Sequence, residues 1–79
     1  METSYEKIVK IIAEILEVDT ALIDEETAIG DLTEWDSLHH IKIISAIENQ
    51  FGFRFAPDDM MDMEDVSDIV NATEVRAGK

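Results

Sequence analysis

Apolar residues recur at helical spacing near the start of the chain: Ile8, Ile11, Ile12 and Ile15, with Val9 and Leu16 widening the stripe. Lys7, Lys10, Glu14 and Glu17 fall on the other side. Thr3 and Glu6 have the spacing of a capping box, so a first helix is predicted to start behind Thr3 and to fade near Val18-Asp19. A second stripe, Leu38, Ile41, Ile44, Ile47 and Phe51 with Ile43 beside it, predicts a helix capped by Asp36, with Ser37 as its first residue. Gly52 is placed to end it. Phe53-Arg54-Phe55 alternates like a strand but has no second strand to pair with, so it reads as an extended connector with two anchoring rings. Pro57 suits the first turn of a short helix over about Asp58 to Met61. A last helix is predicted from about Glu64 to Val75, burying Val66, Ile69, Val70 and Thr73. The expected fold is all-α, a bundle of three main helices and one short one.

Residues 19–35 keep no sustained period. They contain six acids, Gly30 and three threonines, and predict a long structured loop with a short helical turn near Thr20 to Ile23. Leu22, Ile23, Ile29 and Leu32 are the residues expected to pin it to the core. A loop of this length in a small domain points to function.

The length of 79 residues fits a single domain over 1–79, with residues 76–79 expected to fray. A core of this size is marginal, and there is no cysteine to staple it. The missing cysteine also removes thiol catalysis and thiolate metal sites from the protein itself. Nineteen acids against six bases give a net charge of −13, which repels nucleic acid and favours partners with basic docking surfaces. Met1 leads directly into polar Glu2-Thr3-Ser4, and no apolar stretch is long enough to span a membrane, so a cytoplasmic monomer is expected.

Ser37 is the leading candidate for chemistry. It stands where an acidic loop meets a helix N-terminus, where the helix dipole favours an added anion such as a phosphate. A serine there can also be an ordinary helix start, although Asp36 already supplies the cap. His39 and His40 follow within one turn, and Asp36, His40 and Ser37 contain the residue types of a hydrolytic triad. Three groups in one helical turn are poorly placed for a relay, and there is no G-x-S-x-G elbow. Two surface histidines beside a docking site, able to tune partner binding near neutral pH, is the preferred reading. Six acids and no base lie between residues 58 and 68. Their spacing does not match an EF-hand loop, so they read as a solvated face, and no metal site is assigned. Met60, Met61 and Met63 suit either ordinary gap-filling or a pliable wall. Trp35 suits either a loop anchor or a neighbour to Ser37.

Asp36-Ser37-Leu38 at the head of the second helix resembles the acyl carrier protein family. The resemblance extends over nearly the whole chain. It takes in the long loop before the serine, Ala46-Ile47-Glu48-Asn49-Gln50-Phe51-Gly52 at the helix end, Phe55-Ala56-Pro57-Asp58 leading into a short third helix, and Val66-Ser67-Asp68-Ile69-Val70 in the fourth. It implies that Ser37 is esterified by 4′-phosphopantetheine, delivered from coenzyme A by a phosphopantetheinyl transferase that recognises the flanking Asp36 and Leu38. It implies a carrier, not an enzyme, holding acyl groups as thioesters for fatty acid, polyketide or related lipid biosynthesis. Acyl-loading, acyl-transfer or condensing enzymes would be its partners. His39, Ile41, Lys42, Ser45 and Glu48 are then the residues expected on the partner-facing side of the second helix. Members often carry acids two and five places after the serine and a methionine eight places after; here those positions are His39, Lys42 and Ser45. The recognition helix is therefore less acidic than the family pattern. An aminoacyl or peptidyl carrier serving an adenylating enzyme would look the same, and an acidic interaction module without an arm would share the composition.

Overall fold

The computed structural model describes residues 3–76. Among them run four α-helices and one 3-10 turn: α1 (Ser4–Leu16), the turn Thr20–Leu22, α2 (Ser37–Phe51), α3 (Pro57–Asp62) and α4 (Val66–Arg76). The order and character of the elements match the all-α reading. The expected fraying of residues 77–79 lies outside the described residues. Arg76, placed with that tail by the sequence, is instead the last residue of α4.

Each boundary has a local cause. Thr3 accepts the backbone N–H of Glu6 at 3.1 Å, satisfying one of the orphan donors of the first turn. Glu17 ends α1 in the left-handed region at φ 58, and Val18 reaches back to the Ala13 carbonyl at 3.0 Å. Gly52, at φ 77, closes α2 in the same manner, with the N–H groups of Gly52 and Phe53 both directed to the Glu48 carbonyl. Pro57 opens α3, and the Asp59 carboxylate accepts the Ala56 N–H at 3.1 Å.

α1 lies against both α2 and α4, and the core forms along these seams. Ile8 and Ile12 of α1, Ile43 and Ile47 of α2, and Val66 and Ile69 of α4 are fully buried. Thr73 is buried with them, its hydroxyl donating to the Ile69 carbonyl at 2.7 Å. The polar group is thus satisfied inside its own helix. Phe55 is buried, Phe53 half-buried and Arg54 exposed, as expected for an anchored connector.

Two apolar expectations fail. Leu38 and Ile41, counted on the apolar stripe of α2, are 60 % and 66 % exposed, although Ile41 is also among the residues expected to face partners. Only the C-terminal half of α2 is covered by the other helices, through Ile43, Ile44 and Ile47. Leu22, expected to pin the loop, is 57 % exposed, because the three-residue turn directs only the following Ile23 inward.

The loop is built from its own acids. The Asp24 carboxylate accepts the Glu26 N–H at 2.9 Å, and the Asp31 carboxylate accepts the Ala28 N–H at 2.9 Å. Its second half pairs with the segment before α4. Ile29 N–H donates to the Glu64 carbonyl at 2.9 Å, Val66 N–H to Thr27 at 3.0 Å, and an antiparallel bridge joins Ala28 and Asp65. The chain then turns through Gly30, whose N–H donates to the Trp35 carbonyl at 2.9 Å. That closure sets Trp35 into the core immediately before α2.

Candidate functional site

Asp36 has extended backbone and accepts the His39 N–H at 2.9 Å, which starts α2 at Ser37. The His39 ring also approaches the same carboxylate oxygen, Nδ1 to Oδ1 at 2.8 Å. The His39 N–H, and next the His39 ring, hold the Asp36 carboxyl below the usual carboxylate range. Ser37 is exposed at the helix N-terminus, and no group among the described residues hydrogen-bonds its hydroxyl. It is a free oxygen nucleophile beside the positive end of a 15-residue helix.

Asp36 and His40, the acid and base of the imagined triad, are both engaged elsewhere. Asp36 pairs with His39, and His40 accepts at Nδ1 from the Trp35 indole N–H at 3.0 Å. Trp35 is completely buried, so it anchors the loop. The Trp35 and His40 rings stack at 28° with centroids 5.9 Å apart. His40 is half-buried and not the surface histidine expected from the sequence. Burial pushes its pKa down, with a hydrogen bond to the Met63 backbone acting against that shift.

A cavity of about 290 Å³ opens beside Ser37. Its α2 wall carries Ser37, His40, Ile41, Ile44, Ser45 and Glu48, while Ile29 closes it from the loop and Met60 from α3. The lining is mainly apolar and includes Ser37. Of the three methionines read as a soft wall, Met60 does line the cavity and Met63 is buried in the core; the side chain of Met61 is outside those described. Ile29 and Ile44 join this wall with no sequence feature that groups them with Ser37, whereas His40, already its neighbour by helical spacing, shares the wall with it and not a triad. A buried tryptophan needs an acceptor for its N–H, and that requirement was the available signal for His40.

The remaining candidates on α2 occupy distinct settings. Lys42 and Ser45 are exposed, with Ile41 beside them. His39 is half-buried against Asp36. Glu48 is half-buried, and its Oε2 accepts the Phe55 N–H at 2.7 Å. Leu38 stands exposed next to Ser37.

Residues 6–73 match the family model described as the phosphopantetheine attachment site. The chain belongs to the acyl carrier protein family. It is 30 % identical over 74 residues to an acyl carrier protein of Solidesulfovibrio magneticus, covering 94 % of this chain and 95 % of that one. It is 31 % identical over 77 residues to an acyl carrier protein of Thermotoga maritima, covering 98 % and 95 %. The prosthetic group of an acyl carrier protein is covalently attached 4′-phosphopantetheine. The residues here fit such a group: an unbonded, exposed hydroxyl at a helix N-terminus for a phosphodiester, next to an apolar cavity. Among the described residues no helix is long and apolar enough to cross a membrane.

Proposed function

We propose that this acyl carrier protein bears its phosphopantetheine arm on Ser37 and carries acyl intermediates for fatty acid, polyketide or related lipid biosynthesis in the cytoplasm. The observation that carries the assignment is the exposed, unbonded Ser37 hydroxyl at the first turn of α2, within the matched residues. When attached, the arm supplies the thiol that the cysteine-free chain lacks and holds acyl groups as thioesters. The protein's own part is presentation. Asp36 fixes the turn through His39 N–H, and the exposed N–H groups of the first turn face the added phosphodiester. Asp36 and Leu38 flank Ser37 as the surface read by the phosphopantetheinyl transferase. The chain needs no catalytic group for this role, and the chemistry belongs to the enzymes that visit it.

The partner face of α2 is proposed to comprise His39, Ile41, Lys42, Ser45 and Glu48. Exposed Ile41 beside Leu38 supplies apolar contact, and Lys42 places a cation where acids are frequent in the family. Basic docking surfaces on acyl-handling partners would meet the acids of the preceding loop, including exposed Asp31 and Glu34. The apolar cavity beside Ser37, with Met60 as its adaptable wall, suits the shielding of an acyl chain.

Incubation with coenzyme A and a broad-specificity phosphopantetheinyl transferase, followed by intact mass measurement, tests the assignment. The native chain should gain one phosphopantetheinyl group and Ser37→Ala none. A folded native chain that gains nothing would favour the interaction module without an arm.

A further inference from the structure

We propose that His40 is a positioning residue that latches the Trp35 loop to α2 beside the cavity, and that protonation of its ring releases the latch. The geometry fixes the tautomer. Because Trp35 Nε1–H donates to His40 Nδ1 at 3.0 Å, that nitrogen carries no proton. In the neutral ring the proton is therefore on Nε2. Trp35 is completely buried, so the bond ends in a fixed part of the core. His40 itself lines the cavity, one turn beyond Ser37. One imidazole thus joins the segment before the serine to the helix that displays it.

An imidazolium has two donors and no acceptor. Protonation turns the Trp35 contact into two N–H groups facing each other at hydrogen-bond distance. The indole cannot turn to water because Trp35 is completely buried. The strain falls on the loop that carries Trp35, and this loop borders the cavity through Ile29. Charged and titratable groups on the surrounding elements include Asp36, His39, Lys42 and Glu48 on α2, Asp31 and Glu34 in the loop, Asp58 and Asp59 on α3, and Glu64 and Asp65 before α4. Asp36 is engaged by His39, Glu48 by the Phe55 N–H and Asp59 by Arg76. The hydrogen bond to the His40 ring comes from an uncharged group, the Trp35 indole. Burial opposes the imidazolium and lowers the His40 pKa, with the Met63 backbone acting the other way. The latch is therefore closed at neutral pH and opens below the ordinary histidine value of 6.5.

The chain has one tryptophan, so its indole N–H gives a single NMR reporter. In the full native chain that resonance should shift on acidification with a midpoint below 6.5. His40→Asn keeps an acceptor for the indole but cannot titrate, so the shift should vanish while the chain stays closed. The second reading uses an octanoyl group loaded on the arm, with hydroxylamine cleavage of the thioester as the measure of exposure. At neutral pH His40→Ala should be cleaved about fivefold faster than native, the weight of one net hydrogen bond, and His40→Asn should restore the native rate. The ratio of His40→Ala to native should fall toward unity as pH drops below the histidine midpoint. An indole resonance that stays fixed in a folded native chain, or that titrates equally in His40→Asn, would overturn the latch. Equal cleavage of all three proteins at neutral pH would do the same. Failure of Ser37 to accept the octanoyl arm would count against the attachment assignment instead, and the indole titration would still decide the latch.

Discussion

Glu48 Oε2 accepts the backbone N–H of Phe55 at 2.7 Å, fastening the last turns of α2 to the connector that leads into α3. An acid expected to face partners therefore spends one oxygen inside the molecule. Glu48→Ala should leave a half-buried N–H without an acceptor and lower stability by about 1–3 kcal/mol. Glu48→Gln keeps an amide oxygen at the same reach and should recover most of that loss. Urea unfolding of the two variants separates the structural use of Glu48 from any docking use.

Trp35 fills the core with no exposed surface, so its removal should be severe. Trp35→Ala is expected to cost about 3–5 kcal/mol, a large share of the roughly 5–15 kcal/mol that stabilises a typical domain. Trp35→Phe keeps an aromatic ring in the core but loses the N–H donor and part of the indole volume, so its urea midpoint should fall between those of the native chain and Trp35→Ala. A Phe midpoint as low as that of Ala would show that the retained ring contributes little to the packing.

Asp36 and Asp59 set the acid limb of stability. The His39 N–H and ring lower the first carboxyl, and the Arg76 guanidinium followed by the Ala56 N–H lowers the second, both from 3.8. A depressed carboxylate binds fewer protons folded than unfolded. Its contribution is therefore complete above 3.8 and is lost as pH falls through the folded value. Asp36→Asn retains the cap but not the charge, and its unfolding midpoint should depend less on pH in that acid range. An unchanged acid limb would contradict the assignment of the Asp36 pair.

Gly52 and Glu17 occupy the same left-handed cap position at the ends of α2 and α1. A Cβ at Gly52 would meet nothing within 4 Å, so Gly52→Ala isolates the backbone cost at φ 77. That cost should be about 1–2 kcal/mol. Glu17→Gly should shift stability the other way by up to about 1 kcal/mol, since the same conformation is already adopted by a residue with a side chain. Thermal melts of the two variants should move in opposite directions.

Features encoded within one turn were legible from the sequence. Thr3 with Glu6, Asp36 with its following turn, Pro57 and Gly52 set the helix boundaries through chemistry that acts over three or four residues. Ser37 was legible for the same reason, since its place at a helix start depends only on its neighbours. Leu38 and Ile41 show where that reasoning stops. Periodicity identified an apolar face on α2 but carried no information on how far other helices cover it, and the cover ends at Ile43. His40 was misplaced because its partner, Trp35, takes its position from how the loop closes. The pairing of Ala28 with Asp65 had no sequence mark, since a one-rung bridge needs neither alternation nor a turn motif.

That bridge, with Ile29 donating to Glu64 and Val66 to Thr27, ties two distant stretches of chain into a closed ring. α2, the connector and α3 all lie on the ring, whereas α1 and most of α4 lie outside it. The ring resembles a bow whose string is drawn at residues 27–29 and 64–66. Its arc can flex to admit or expel a guest while the string stays taut, because the backbone bonds at the knot need not break. Native-state amide exchange should accordingly run in two tiers, with Ile29 and Val66 slow and the α3 amides fast.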